Sequence, residues 1–232
     1  TDGATEALSA TFMAMLNPGD EVIIPTPAFG LYESIVVANH AKAVFLDTEP
    51  AQFQIDEDAL RACVTPATKA IVICSPNNPT GDVAPLDFVA ALCDACPGMV
   101  MVDEAYVEFA DDSFGAATTA QGLISEHPNL VILHTLSKAF GAAGTRLGYV
   151  IAAPEVIDVF AAIRQIYSVN VLSQAAALAC VRARDAYAPV VAQVASERER
   201  ELCALCAMAA EGLPVETWPS AANFVLVRTP HA

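Results

Sequence analysis

The stretch LVILHTLSKAFGAAGTRLGY, Leu130–Tyr149, runs from an unbroken apolar segment through one lysine to an arginine and a second apolar segment. LVILHT reads as a buried strand, because a strand with one face in water alternates polar and apolar residues and this one does not. Lys138 is one of three lysines in the 232-residue chain. A lysine this close behind a buried strand is poorly explained as a solvated surface charge. Runs of the same kind recur at EVIIPT, KAVFLD, KAIVICS, MVMVDE and LGYVIAA, separated by helical patterns such as LDFVAALCDAC and PEVIDVFAAIRQI. This alternation predicts an α/β fold: a mostly parallel sheet with helices on both faces, hence three layers.

Near Arg182 the pattern changes to one long helix, AYAPVVAQVASERERELCALCAMAAEG, followed by short strands in PVETW and NFVLVR. Residues 1–182 are therefore read as a large domain and residues 183–232 as the start of a smaller one. The chain opens on TDGATEAL, already entering a helix, and both ends are expected to lie inside a longer protein. The length suits one large α/β domain plus part of a second.

A formal charge of −16 argues against nucleic acid and anionic membrane surfaces, which are bound by basic patches. An anionic ligand would need a local positive site. Despite 55% hydrophobic residues, the longest charge-free stretch, Gln165 to Val181, carries Gln, Asn and Ser throughout, so no spanning helix is expected. No basic region followed by an apolar run opens the chain, and seven cysteines make no disulfide framework; both point to the cytoplasm. Cys93/Cys96 and Cys203/Cys206 have CxxC spacing, yet both pairs sit in Ala-rich helical patterns, which favours small buried hydrophobes over zinc. His40, His127 and His231 make no metal spacing with them or with each other. His134 is expected to be packed in its strand, and no metal is expected.

In doubly wound sheets ligands bind beyond the carboxyl ends of the strands. After AIVIC comes SPNNPTG, a turn presenting the Asn77 and Asn78 amides. After MVMV come Asp103, Glu104 and Tyr106. After LVILH come Thr135 and Ser137, whose hydroxyls share one side by the period of two, and then Lys138. GATEAL begins a helix whose free amides at Ala4 and Thr5 can accept an anion. Two hydroxyls, Arg146 and a helix N-terminus suit one phosphate. A lysine beside that cationic site, and partly desolvated, loses basicity, which a Schiff-base amine requires. An aspartate ending a buried strand is costly unless a cation meets it, and a pyridinium nitrogen would do so. Phosphate, aldehyde and pyridine together describe pyridoxal 5′-phosphate.

GATEAL, PTPAFGLYE, SPNNPTG, DEAYVEF, TLSKAFGAAGTRLGY and YSVNVLSQAA, in this order, resemble the blocks of the fold type I aminotransferases. DEAYVEF, HPNLVILHTLSKAF and VNVLSQ most resemble the histidinol-phosphate branch of that family. The resemblance covers nearly the whole chain and implies a homodimer acting on a small-molecule amino donor and a 2-oxo acid. It makes Lys138 the cofactor-bearing lysine and proton shuttle and Asp103 the partner of the ring nitrogen. Asn78 and Tyr106 become donors to the ring's 3′ oxygen, and Phe29 the aromatic against the ring, where tyrosine is usual. Ala4, Thr5, Thr135, Ser137 and Arg146 become the phosphate site.

The chain departs from the family at IYSVN, where PYNVN is usual, so that Ile166 replaces a proline and Ser168 an asparagine. It stops soon after Arg228, before the family's carboxylate-binding arginine, and it lacks the N-terminal segment that closes the pocket. Aromatic or aspartate-type aminotransferases, a threonine-phosphate decarboxylase and an inactive fragment remain alternatives. Taken singly, Asp103 also reads as a cap or ion-pair partner, Asn78 as a turn residue and Arg146 as a surface ion pair. Asn223 and Arg228 are read as structural first, Lys42 and Lys69 as solvated, and SERERE as an exposed helix face.

Overall fold

The computed structural model describes residues 1–230. In chain order its main elements are α1 (Gly3–Met15), β1 (Glu21–Thr26), α2 (Leu31–Ala38), β2 (Lys42–Asp47), α3 (Glu57–Cys63), β3 (Thr68–Cys74), α4 (Leu86–Ala95), β4 (Met99–Asp103), β5 (Leu130–Thr135), β6 (Gly148–Ala152), α5 (Pro154–Ile163), α6 (Val171–Arg182), α7 (Arg184–Ala210), β7 (Glu216–Thr217) and β8 (Val227–Arg228). The six expected strands form one sheet of order β2-β1-β3-β4-β5-β6. Every pairing is parallel except β5 with β6.

The interior strands are continuous apolar runs because both of their faces are covered. All six residues of β5 are buried. On one face Phe12, Tyr32, Val36, Val72, Met101 and Leu133 pack with α1 and α2; on the other, Ile71, Val100, Ile132, Leu60, Val89 and Leu92 pack with α3 and α4. A third cluster joins Tyr106, Leu136 and Phe140 to Ala177 of α6 and Val191 of α7.

Helix ends follow local chemistry. Asp56 accepts the Ala59 amide at 2.8 Å and Asn170 accepts the Ser173 amide at 2.9 Å, two N-caps that satisfy donors the helices cannot. Pro154 stands at the first position of α5, where its missing N–H costs nothing. Beyond α7 the short strands pair antiparallel, Glu216 with Arg228 and Thr217 with Val227. Arg228 bonds Glu49 at 2.7 Å and Glu216 at 3.1 Å and lies over the Trp218 ring at 5.0 Å. That network fastens β7 and β8 to the turn after β2.

The cysteine expectation holds only in part. Cys93 is buried against α4's neighbours, but Cys203 and Cys206 are exposed, because α7 buries little more than Val191 and leaves its other faces in water. Among the described residues no group of three or more His, Cys, Asp or Glu is placed to hold a metal ion, and no helix is long and apolar enough to cross a membrane. His231 lies outside the described residues.

Candidate active site

Parallel pairing brings the carboxyl ends of β3, β4 and β5 to one edge: Asp103 stands beside Cys74 and Leu133. Because β6 runs back antiparallel, its first residue, Gly148, faces Thr135 at that same edge. All ten sequence-predicted site residues line one cavity of about 260 Å³ there. Tyr32, Cys74, Leu8, Leu31, Ala105 and Ala143 line it as well.

The anion end is built by close approach. Gly148 carries no side chain where a Cβ would stand 2.3 Å from the Ala4 nitrogen, so the first turn of α1 rests directly on β6. Ala4 and Thr5 sit in that turn, where amides have no carbonyl within the helix to meet. Beside them the Thr135 hydroxyl donates to Ser137 Oγ at 2.9 Å and accepts the Ser137 amide at 3.1 Å. Arg146 adopts the left-handed conformation, with φ 52°, a costly backbone for a residue with a Cβ. Its guanidinium lies 3.4 Å from the Asp2 carboxylate and remains half exposed. Donors, a helix dipole and a guanidinium thus line one side of the cavity as groups suited to an anion.

In the same cavity Asp103 is buried, and desolvation raises its pKa from the ordinary carboxylate value. Tyr32 Oη donates to Asp103 Oδ2 at 2.8 Å and the Ala105 amide donates to Oδ1 at 3.1 Å; both donors oppose that rise. A buried carboxylate at a cavity wall is a receptor for a cation or an N–H⁺ group. Asn78 Nδ2 donates to Tyr106 Oη at 3.2 Å, placing two polar groups side by side. Phe29 meets Tyr32 edge to face, with ring centroids 5.7 Å apart. These groups fit a phosphorylated pyridine: an anion cradle, a buried carboxylate for the ring nitrogen and an aromatic ring line the same cavity.

Two expectations for the cavity need correction, and one residue is added. Lys138 is exposed rather than partly desolvated: it lines the cavity from the turn that follows β5, with its Nζ 5.1 Å from the centre of the Tyr106 ring. Of the two turn asparagines only Asn78 lines the cavity. Asn77 bonds inward, to the Pro27 carbonyl at 3.0 Å and the Thr80 hydroxyl at 2.9 Å, and holds the turn itself. Tyr32 was not anticipated: a tyrosine in the apolar pattern of α2 reads as core until its hydroxyl is seen to meet Asp103. The expectations for His134 and Arg228 hold, but SERERE is not an exposed face throughout, because Arg198 turns inward with its side chain 11% exposed. His134 is packed against Glu104 at 2.8 Å, and Arg228 is absent from the cavity.

Comparison with known proteins bears on this arrangement. The family model of aminotransferase class I and II matches residues 1–232. A histidinol-phosphate aminotransferase of Cytophaga hutchinsonii is 36% identical over 234 residues, covering 98% of this chain and 63% of that protein. An aromatic amino acid aminotransferase of Mycolicibacterium vanbaalenii is 40% identical over 209 residues, covering 89% of this chain and 57% of that protein. The structure of Thermus thermophilus aspartate aminotransferase with maleate superposes with a TM-score of 0.82 at 29% identity, over 98% of this chain and 60% of that one. The chain therefore spans about three fifths of the length of the relatives it matches. A match along its whole length, the shared sheet and a cavity shaped for a phosphorylated pyridine agree: the chain belongs to the class I and II aminotransferases, whose members depend on pyridoxal phosphate.

Proposed function

We propose that this protein is a pyridoxal-phosphate-dependent aminotransferase that takes its amino group from histidinol phosphate and passes it to 2-oxoglutarate, in the cytoplasm and as a homodimer. The observation that carries this reading is the convergence of all ten anticipated residues on one cavity, the anion-binding groups and the Asp103 carboxylate among them. When bound, the cofactor supplies an electron sink for the carbanion left at the donor's Cα.

The chain's own residues do the rest. Ala4 and Thr5 amides, the Thr135 and Ser137 hydroxyls and Arg146 hold the phosphate. Asp103 would retain a proton on the ring nitrogen, Asn78 and Tyr106 would donate to the 3′ oxygen, and Phe29 would supply an aromatic face to the ring. Lys138 Nζ would anchor the cofactor and, once released, would accept and return the proton of the donor Cα. We place the boundary between the large domain and the start of a smaller one at residues 182 and 183, where α6 gives way to α7. The homodimer is supported by an exposed apolar stretch, in which Ile166 is 80%, Tyr167 91%, Val171 76% and Leu172 78% accessible.

The donor assignment rests on the relatives named histidinol-phosphate aminotransferase. A second reading, an aromatic amino acid donor, is favoured by the 40% identity to the Mycolicibacterium protein. Single-turnover absorbance of the cofactor-loaded protein, from its whole reading frame, separates the two, with Lys138→Ala as the blank. Faster conversion with histidinol phosphate than with phenylalanine, aspartate or threonine phosphate supports the first reading. Faster conversion with phenylalanine replaces it with the second. Carbon dioxide release from threonine phosphate, or no spectral change with any donor, would overturn both.

A further inference from the structure

Tyr32 and Asp103 come from different layers, a helix and the sheet beneath it, and meet under the cavity floor. Tyr32 is 1% exposed and packs in the same apolar cluster as Phe12, Val36 and Met101. Phenylalanine would fill that volume equally well, so the hydroxyl is the part that asks for an explanation. A buried phenol needs a partner. Its partner is Asp103 Oδ2, at 2.8 Å.

We propose that Tyr32 is a positioning residue for Asp103: its O–H donor fixes the rotation of the carboxylate and keeps it anionic, so that the proton of the pair stays on the cofactor's ring nitrogen. This rests on the reading of Asp103 as that nitrogen's partner.

An ionised carboxylate offers about four acceptor sites on two oxygens. Tyr32 fills one on Oδ2 and the Ala105 amide fills one on Oδ1, which fixes the carboxyl plane and leaves sites free on the cavity side. Both donors favour the charged form that burial disfavours. The neighbouring charges act with opposite signs, His134 toward the anion and Glu104 against it, leaving the direct donors as the specific contribution. Cys74, beside Tyr32, gives its S–H to the Pro76 carbonyl at 3.2 Å, and burial lifts its pKa to about 12, so it adds no competing charge. The Tyr32 phenol is itself pushed well above its ordinary value by burial and by Asp103, which favours the protonated, donating form. Without it, the proton shared between carboxylate and pyridine passes toward Asp103, and the ring becomes a weaker electron sink.

The test uses ring-¹⁵N-labelled pyridoxal phosphate bound to the wild-type protein, Tyr32→Phe and Asp103→Asn, with the nitrogen chemical shift read by NMR near pH 7. Thermal unfolding of each variant is recorded alongside. The wild type is expected at the protonated value and Asp103→Asn at the unprotonated one. Tyr32→Phe is expected to lie between them, with kcat about tenfold lower and KM for the donor little changed, the loss expected of one hydrogen bond to a charged group. A folded Tyr32→Phe with the wild-type shift, while Asp103→Asn is displaced, overturns the proposal and spares the role of Asp103. Loss of the displacement in Asp103→Asn as well overturns the reading beneath it. If Tyr32→Phe does not fold, 4-aminophenylalanine at position 32 keeps the ring and weakens the donor; a partial displacement is then expected, and an unchanged shift overturns the proposal.

Discussion

Gly3 and Arg146 interlock at the anion end of the cavity. The Gly3 amide donates to the Arg146 carbonyl at 3.0 Å, and a Cβ on Gly3 would stand 2.4 Å from Arg146 Nη2. Both residues have positive φ, 68° and 52°. Gly3→Ala therefore meets a strained backbone and displaces the guanidinium together. A stability loss of about 1–2 kcal/mol is expected from the backbone alone. Affinity for pyridoxal phosphate should fall at least about tenfold, whereas affinity for pyridoxal, which lacks the phosphate, should change far less; fluorescence titration with both compounds checks this.

Asn78 and Tyr106 make a second pair whose removal is clean. The Tyr106 ring stays anchored against Phe224, at 5.1 Å edge to face, whether or not it carries a hydroxyl. Tyr106→Phe should therefore cost no more than about 1 kcal/mol in denaturant unfolding, yet on the proposed reading lower kcat about tenfold, because one of the two donors proposed for the ring oxygen is gone. Equal losses in stability and activity would show that the hydroxyl serves packing rather than the site.

Most of the fold is legible in the sequence, for a physical reason. Strands such as LVILHT and AIVIC are buried on both faces, so apolar continuity alone marks them, and helices alternate with them as a parallel sheet requires. The site is legible because its residues follow strand ends, where chain order and spatial order coincide. What escaped depends on where a side chain turns. Asn77 and Asn78 are adjacent and alike, and only the turn's own bonding sends one inward to Pro27 and Thr80. Tyr32 carries an apolar ring and a polar tip, and the ring dominates a periodicity reading. Lys138 follows a buried strand, but the turn geometry that exposes it has no compositional mark. Cys203 and Cys206 keep a helical spacing that says nothing of which helix faces lack a partner.

Glu108 gives a pH-dependent prediction. Its side chain is buried, Oε2 has no hydrogen-bond partner, and burial raises its pKa from 4.5 to about 7. The folded state thus holds this proton more tightly than the unfolded chain does. The group is neutral in both states well below pH 4.5, and stability falls as pH rises from there through about 7, above which the loss is complete. A full shift of this size corresponds to roughly 3 kcal/mol as an upper bound. Glu108→Gln should therefore raise the unfolding midpoint at pH 8 and leave it nearly unchanged at pH 4. A gain of the same size at both values would assign the effect to packing instead of ionisation.

Arg198 links α7 to the site without touching it. Its side chain is 11% exposed, and Nη1 donates to the Ala222 carbonyl at 2.8 Å and to the Phe109 carbonyl at 3.3 Å. Ala222 precedes Phe224, which packs on Tyr106, and Phe109 closes the turn that carries Tyr106. Glu199, at 3.0 Å, balances the charge from an exposed position and adds little of its own. Arg198→Met keeps the apolar stem and orphans two carbonyls, one of them in a tightly packed segment. A loss of about 2–3 kcal/mol in denaturant unfolding is expected. Because the Tyr106 turn loses its brace, kcat should fall as well, by less than in Tyr106→Phe, and hydrogen exchange should quicken at Phe109 and Ala222 before it does in β4 or β5. Uniform quickening across the sheet would instead make Arg198 a contributor to global stability with no particular hold on the Tyr106 turn.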